Sequence, residues 1–559
     1  MGRFGRARIR TLLLALAASG ITSGSASGDV NGFPLCTAPG DQLGPVAVSD
    51  GAGGAIVAWH DGRPTVAAGG VCFAQRVSAA GVPLWTSNGV QLSTTGDPGE
   101  PGGPVGPAID SDGVGGAFLA YGGNSSQSRA QWVNGSGVAQ WGADGVQLTN
   151  ASSSMRHVAI VRDVNGAGGA IVVWRQDNGA GGTSDVYAQK VNAAGTIQWG
   201  ASGAPVATTN MNNETHPVLI SDGAGGAIVV WFNGTDGCRA QRLNSAGVPQ
   251  WSNTPLSSLS NNRRPAIVSD GSGGAVVAWA AGNTGIFVQR VTSAGNRQWS
   301  PNNTGVQLCT QGNQCSMIPD GAGGATVAWQ DFGGQYNIFA QRVNGAGTTQ
   351  WVLNGVEVCF VPNDQLAPTI VSDGGTGAIL AWYDGRTPAS VDDIYAQRID
   401  AAGASQWTLN GVPLCTAANS QQNPTIAADG AGGAFVSWQD RRSGTHDDIY
   451  FHHLRSSGEP LSVPGQDPAS SIGHAWPNPF VDRVQLAFAL PAAATARLEI
   501  FDVRGRSIRA YEPEHLTAGD HALTWDGRTS EGRLVGRGIY FMRVIGPGLE
   551  LSRVVVRLE

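Results

Sequence analysis

A frame that recurs eight times constrains this chain more than any other feature. Its first half is a turn-and-strand word such as VSDGAGGAIVAW at residues 48–59. An acid or amide opens the turn at Asp50, Asp112, Asn165, Asp222, Asp270, Asp320, Asp373 and Asp429. Glycine follows each time, with glycine again at offset four and alanine at offset five. At offset nine stand Trp59, Tyr121, Trp174, Trp231, Trp279, Trp329, Trp382 and Trp438. The second half centres on Gln75, Gln131, Gln189, Gln241, Gln289, Gln341 and Gln397, with His452 in the eighth copy. A glycine comes six residues later, and four further on a tryptophan, from Trp85 to Trp407, with Ser462 in its place in the eighth copy.

Repeat length runs from 48 residues (Asp222 to Asp270) to 62 (Asp50 to Asp112), the period range of propeller blades. Each copy reads as four short strands. The first is PTIVSD-like, and its leading proline is tolerated because the missing N–H lies at the ladder edge. The second, GAIVAW-like, is apolar on both faces, as a sheet packed between two others requires. The third is IYAQRV-like, and the fourth runs through the second tryptophan. Glycines of the DG-x-GG turn supply angles that other residues reach with strain. The expected fold is all-β, an eight-bladed β-propeller, with seven blades or another β-repeat array such as a linear solenoid as the alternative. VNGFPLCT at 30–37 matches LNGVPLCT at 409–416, a tail that the eighth copy lacks. The N-terminal segment is therefore expected to complete the last blade, since an open ring leaves two unpaired edges.

Composition fits this picture. Of 559 residues, 82 are glycine and 17 tryptophan, and only 13% are charged, which suits short strands joined by tight turns rather than disorder. Net charge is −7, Lys190 is the single lysine, and no basic stripe follows the N-terminus. A nucleic-acid partner is not expected. At the start, four arginines precede an apolar run from Leu12 to Ala18, followed by small residues. This has the form of a secretory signal peptide and is too short to span a bilayer; no transmembrane span is expected elsewhere. The seven cysteines, an odd number, leave at least one thiol unpaired. Cys309 and Cys315 are close enough to bridge across a loop, most of the others read as small buried hydrophobes, and no pair has zinc spacing.

The turns between strands one and two, and between three and four, keep one length. From first tryptophan to glutamine the spacing runs from 10 residues (Trp231 to Gln241) to 16 (Trp59 to Gln75). In an antiparallel meander the fixed turns share one face. The variable loops and the blade-to-blade connections share the other, which is the expected functional face.

On that side lies a W-x-D-x-R element. Asp61, Asp331, Asp384 and Asp440 stand two residues after their tryptophans, and Arg63, Arg386 and Arg442 four after. Two readings compete: local Asp–Arg pairing at the blade rim, and a ring of polar groups around a central pocket that holds a sugar or a cation. Asp392, Asp393, Asp447 and Asp448 could give calcium oxygen ligands, but no twelve-residue calcium loop is present and no cofactor is expected. A strand rather than a helix follows DG-x-GG, so it reads as a turn and not a phosphate loop. No nucleophile or metalloprotease motif occurs. A carboxylate pair for glycoside hydrolysis is defined in space and stays open.

After residue 460 the composition changes. SVPGQDPASSIGH reads as a linker, and alternating runs then suggest a small β-sandwich. WPNPF at 476–480, LEIFDVRGR at 498–506 and WDGR…GRGIYF at 525–541 resemble the C-terminal sorting domain of type IX secretion cargo and the related Ig-like domain of flagellar hook-capping proteins. The resemblance covers the last fifth of the chain. It implies a tail that is an address or surface anchor, with secretion machinery as its partner.

The expected organisation is a signal peptide at 1–28, a propeller at 29–461, a linker at 462–473 and an Ig-like domain at 474–559. The expected function is a secreted or outer-surface protein that binds a glycan or a protein partner. A glycan-active hydrolase on the same scaffold and a purely structural surface protein are the alternatives.

Overall fold

A computed structural model describes residues 31–558 except 65, 67–69, 95–105, 123–127, 151–154, 165–167, 179–182, 209–212, 235–236, 258–261, 283, 300–303, 388–390, 460–470, 477, 479, 491–492, 518 and 547–548. The signal-peptide segment, Asn165, Ser462 and most of the linker lie outside the described residues. Among those described, no helix is present and every regular element is a strand.

The repeats form eight four-stranded antiparallel sheets. In the first, Gln42–Ser49, Ala55–Asp61, Val71–Val77 and Val90–Gln91 follow in order from inside to outside. The innermost strands of successive sheets contact one another in a closed cycle, which defines a β-propeller. Closure is made by the N-terminal segment. Phe33–Cys36 supplies the fourth strand of the last sheet, pairing antiparallel with Asp448–Leu454.

Second strands are buried on both faces, and their tryptophans (Trp59, Trp174, Trp231, Trp279, Trp329, Trp382, Trp438) are fully buried between sheets. The second tryptophans staple neighbouring blades instead. Trp85 Nε1 donates to Gly135 O (3.1 Å), Trp251 Nε1 to Ser293 O (3.1 Å) and Trp407 Nε1 to Ser456 O (3.0 Å), each in the following repeat.

The turn aspartates have a repeated task. Asp50 Oδ1 accepts the N–H groups of Ala52 and Gly54, while Oδ2 pairs with Arg76 of strand three (2.8 Å). The same pairs are Asp222–Arg242, Asp270–Arg290 and Asp373–Arg398. In the third repeat Asp163 stands at the start of the turn and makes the matching ion pair. Asp163 N donates to Gly169 O, and its carboxylate meets Lys190 (2.7 Å). That turn is two residues longer than its counterparts, so its length is not fixed across all eight.

Strand three carries the glutamine column. Gln289 Nε2 donates to Trp299 O (2.6 Å), and Oε1 accepts from Arg290 N (3.0 Å) and Trp299 N (2.8 Å). It ties strand three to the outer edge where the ladder is interrupted. Replacing Gln289 with Ala leaves these buried groups unpaired and is expected to cost about 2–3 kcal/mol, read as a lower urea midpoint at unchanged slope.

Two details depart from expectation. The fourth strand does not run through the second tryptophan. Val77 bridges Pro83, the chain makes an excursion over Thr86–Gly89, and the ladder resumes with Phe73 opposite Gln91. Gly89 (φ 85°) permits this excursion because a Cβ there would stand 2.6 Å from the Trp59 ring. The strand-one proline is not at the strand start either. In the first blade the register slips between Leu43 and Val46, placing Gly44 and Pro45 in a β-bulge. A bulge needs no ladder N–H at that point, which admits proline inside the strand.

All seven cysteines are free thiols, and six are buried. The C-terminal unit is a two-sheet sandwich. One sheet holds Ser471–Trp476, Val484–Leu490 and Gly519–Trp525; the other holds Ser507–Ala510, Ala494–Asp502, Gly538–Gly546 and Leu549–Arg557, with Glu514–Leu516 added to Ala494–Asp502. Its core is its own. Phe480 of WPNPF meets Trp525 and Tyr540 of WDGR…GRGIYF there, with the Phe480 and Tyr540 ring centroids 5.5 and 5.1 Å from that of Trp525. Asn478 of WPNPF holds the last strand through Val554 O and Val556 N.

Candidate binding site

The W-x-D-x-R residues form three near-identical clasps between blades. Asp384 is fully buried and accepts Trp382 Nε1 (2.8 Å) and the Arg386 guanidinium (2.6 Å). Arg386 lies 3.7 Å above the Tyr395 ring and donates to Asn410 O and to Cys359 Sγ, the latter from the preceding blade. The first blade repeats this with Asp61, Arg63, Trp59, Phe73, Asn88 and Cys36. The eighth uses Asp440, Arg442, Trp438, Tyr450 and Cys415, with the carbonyl supplied by Asn31 of the closing segment. Asp331 accepts Trp329 Nε1 (3.1 Å) but has no arginine four residues after that tryptophan. Six of the seven residues are thus brought together two by two within three clasps, and Asp331 stands apart with its tryptophan. Asp61, Asp384 and Asp440 are 0% exposed, so their carboxylates face arginine and indole rather than solvent.

Of the four acids named beside them, Asp393 and Asp448 are buried opposite Asp384 and Asp440, and burial pushes both carboxyls up to about 6. Among the described residues, no group of three or more His, Cys, Asp and Glu side chains is placed to hold a metal ion.

A different set of residues surrounds the central axis. The strand-one bulge recurs, with register slips at Arg156/Ala159, Thr215/Val218, Arg263/Ala266, Asn313/Cys315, Leu366/Thr369 and Gln422/Thr425. The bulge residues are left-handed: Gly44 (φ 58°), His157 (50°), His216 (51°), Arg264 (44°), Gln314 (43°), Ala367 (52°) and Asn423 (53°). Together with Gly106 they line a central cavity of about 690 Å³. That volume is in the range of small-ligand sites. The bulges pair with the last residues of strand two, so the cavity lies toward the end that carries the variable loops.

The cavity wall is uneven. Glycine and alanine leave room on the seventh, first and second blades. Gln314, Asn423 and Gln439 offer amide groups, with Gln439 Oε1 held by Gly44 N (2.9 Å) and Asn423 Nδ2 (2.8 Å). On the third to fifth blades stand His157, His216 and Arg264. The two imidazole centroids are 4.1 Å apart, and His216 Nδ1 lies 3.1 Å from Thr215 Oγ1. Burial, then nearby arginines, push His157 down to about 4; burial, then His157 and the arginines, do the same for His216. Their ring protons in a pH-resolved NMR spectrum are expected to shift near pH 4, far below the ordinary value of about 6.5.

The stability sign follows. A depressed histidine contributes stability that is fully present above pH 6.5 and lost as pH falls toward 4. Asp393 and Asp448, raised to about 6, act oppositely, gaining stability as they protonate below 6. Asparagine at both positions removes this opposition, so the doubly substituted protein is expected to lose more melting temperature between pH 6.5 and 4 than the parent.

With the geometry described, the class is a β-propeller that encloses a polar axial cavity and is followed by an Ig-like sandwich. The family description FlgD Ig-like domain matches residues 480–546. No curated protein matches the chain. Similar solved structures include the BP39L lectin from Burkholderia pseudomallei, at 14% identity, covering 62% of this chain and 94% of that one, TM-score 0.40. PorZ, a surface component of the type-IX secretion system of Porphyromonas gingivalis, is 12% identical over 92% of this chain and 75% of that one, TM-score 0.29. The alpha-L-arabinanase of Penicillium chrysogenum is 12% identical over 56% and 98%, TM-score 0.33.

Proposed function

We propose that this chain is a secreted or cell-surface binding module that recognises a glycan in the axial cavity of its propeller. The Ig-like tail serves as its secretion or anchoring address. One observation carries the reading: a cavity of about 690 Å³ ringed by imidazole, amide and guanidinium groups, with no Asp or Glu in its lining among the described residues. Hydroxyl-rich ligands are recognised by such convergent donors and acceptors. Hydrolysis of a glycosidic bond uses two carboxyl groups flanking that bond, and the described lining residues include none. Asp61, Arg63, Asp384, Arg386, Asp440 and Arg442 support the cavity by clamping the blades, and Asp331 does so only by anchoring the Trp329 indole.

The test is a glycan array probed with the purified full chain, with the same glycans assayed for cleavage. Binding without cleavage is expected. Cleavage would replace this reading with a hydrolase, and silence on every glycan would replace it with a protein partner or a structural role.

A further inference from the structure

The cavity wall reverses the electrostatics of the molecule. The chain carries a net charge of −7, yet among the described residues the cavity lining contains one arginine, two histidines and no carboxylate. Behind the histidines stand further cations. Arg156, Arg175, Arg264 and Asp177 face His157, and His157, Arg175 and Arg264 face His216. Asp177 is shared by Arg156 (3.3 Å) and Arg175 (2.8 Å). One carboxylate against three guanidinium groups leaves this side of the cavity with surplus positive charge.

The backbone adds a second, independent observation. His157, His216, Arg264 and Gln314 adopt left-handed angles at a position where the first blade has glycine. Such angles cost about 1 kcal/mol or more for residues other than glycine, and strain of this kind concentrates at functional sites. Fold geometry alone is met by Gly44 and Ala367. Placing bulky cationic and imidazole side chains on three consecutive blades is not needed to close the ring.

We propose that the wall formed by His157, His216 and Arg264 is an anion subsite, and that the glycan recognised here is acidic, presenting a carboxylate or sulfate group to that wall. The inference rests on the glycan reading of the cavity. Arg264 provides the permanent charge and a planar pair of donors suited to an oxyanion. His157 and His216, neutral at pH 7, set polar ring edges beside it; His216 Nδ1 is engaged by Thr215 Oγ1 (3.1 Å), which leaves Nε2 as its group for the ligand. The small residues opposite leave space for the rest of the sugar.

The test compares four probes by calorimetry on the full chain: tetragalacturonate, its methyl ester, a sulfated galactan tetrasaccharide and neutral maltotetraose. At least one acidic probe is expected to bind ten-fold or more tighter than both neutral ones, with affinity falling as salt rises. The methyl ester isolates carboxylate recognition, and the sulfated probe identifies the other source of the anion. Arg264→Gln should abolish the acid preference. The substitution suits the backbone, because Gln314 occupies the same bulge position with φ 43° against 44°. Arg264→Lys should retain most of the preference.

Equal affinity for acidic and neutral saccharides, or an acid preference unchanged in Arg264→Gln, would overturn the anion subsite and leave the glycan site standing. Failure of all four probes together with silence on a wider neutral and acidic array would remove the glycan reading itself.

Discussion

Deleting residues 31–38 from the full chain is expected to abolish the cooperatively folded monomer. The segment contributes the fourth strand of the last sheet, and its Leu35, Cys36 and Ala38 are buried. Asn31 accepts the Arg442 guanidinium through its carbonyl, and its side chain receives Thr416 N. Gly32 lies against Trp438 so closely that a Cβ would stand 2.4 Å from the ring. Burial of one large apolar side chain stabilises by about 1.5–3 kcal/mol, and each net hydrogen bond adds about 1 kcal/mol. Their combined loss is comparable with the whole stability of a domain, about 5–15 kcal/mol. The exposed edge of Asp448–Leu454 would then pair between molecules. Thermal melting with size-exclusion chromatography checks this: broad, early melting and higher oligomers are expected, and a monomer with the parent Tm would refute the closing role.

Asp440→Ala is expected to destabilise the protein by about 2–4 kcal/mol, because it leaves the half-buried Arg442 among Tyr450, Cys415 and Asn31 without its carboxylate. It also removes the acceptor of Trp438 Nε1. Asp331→Ala makes a controlled contrast. It loses the indole bond of Trp329 but strands no clasp arginine, so about 1 kcal/mol is expected. Urea unfolding of both variants and of the Asp440→Leu, Arg442→Met pair settles the ranking. The pair should recover much of the loss, since replacing both charges leaves none unpaired. An Asp440→Ala variant as stable as Asp331→Ala would mean that the clasp contributes little beyond the indole bond.

How much of this was legible differs by level, for physical reasons. The repeat was legible because tight turns and buried indoles tolerate few alternatives. Asp50, Gly54 and Trp59 keep their spacing since each is fixed by a backbone bond or by the packing of the next sheet. Ring closure was legible in the match of residues 30–37 to 409–416. Asp163 was hidden, because a turn longer by two residues displaces the acid from its expected place while keeping its N–H bond across the turn and its ion pair. The break after Trp85 was hidden because the chain rejoins the same ladder in the same direction, which leaves no periodicity signal.

The axial cavity was the largest omission. Its residues precede a proline in six of eight repeats, at 45, 107, 217, 265, 368 and 424, and that proline reads as a strand edge rather than a bulge. The usable signal was the residue before it, which runs Gly44, Gly106, His157, His216, Arg264, Gln314, Ala367, Asn423 against an otherwise steady frame. Variation confined to one point of a repeat marks a position released from packing. The W-x-D-x-R residues carried the stronger motif and drew attention to the blade interfaces.

The left-handed bulges also bear on how such a molecule can change. Each projects one side chain toward a common centre from a backbone step that its own strand ladder does not use. Exchanges among Gly, Ala, Asn, Gln, His and Arg are already present across the blades at nearly constant φ. The bulges therefore behave as a dial of seven settings, in which selection or a designer can reset the ligand one blade at a time while the sheets, staples and clasps stay as they are. β-branched residues are the forbidden settings, since they tolerate positive φ worst.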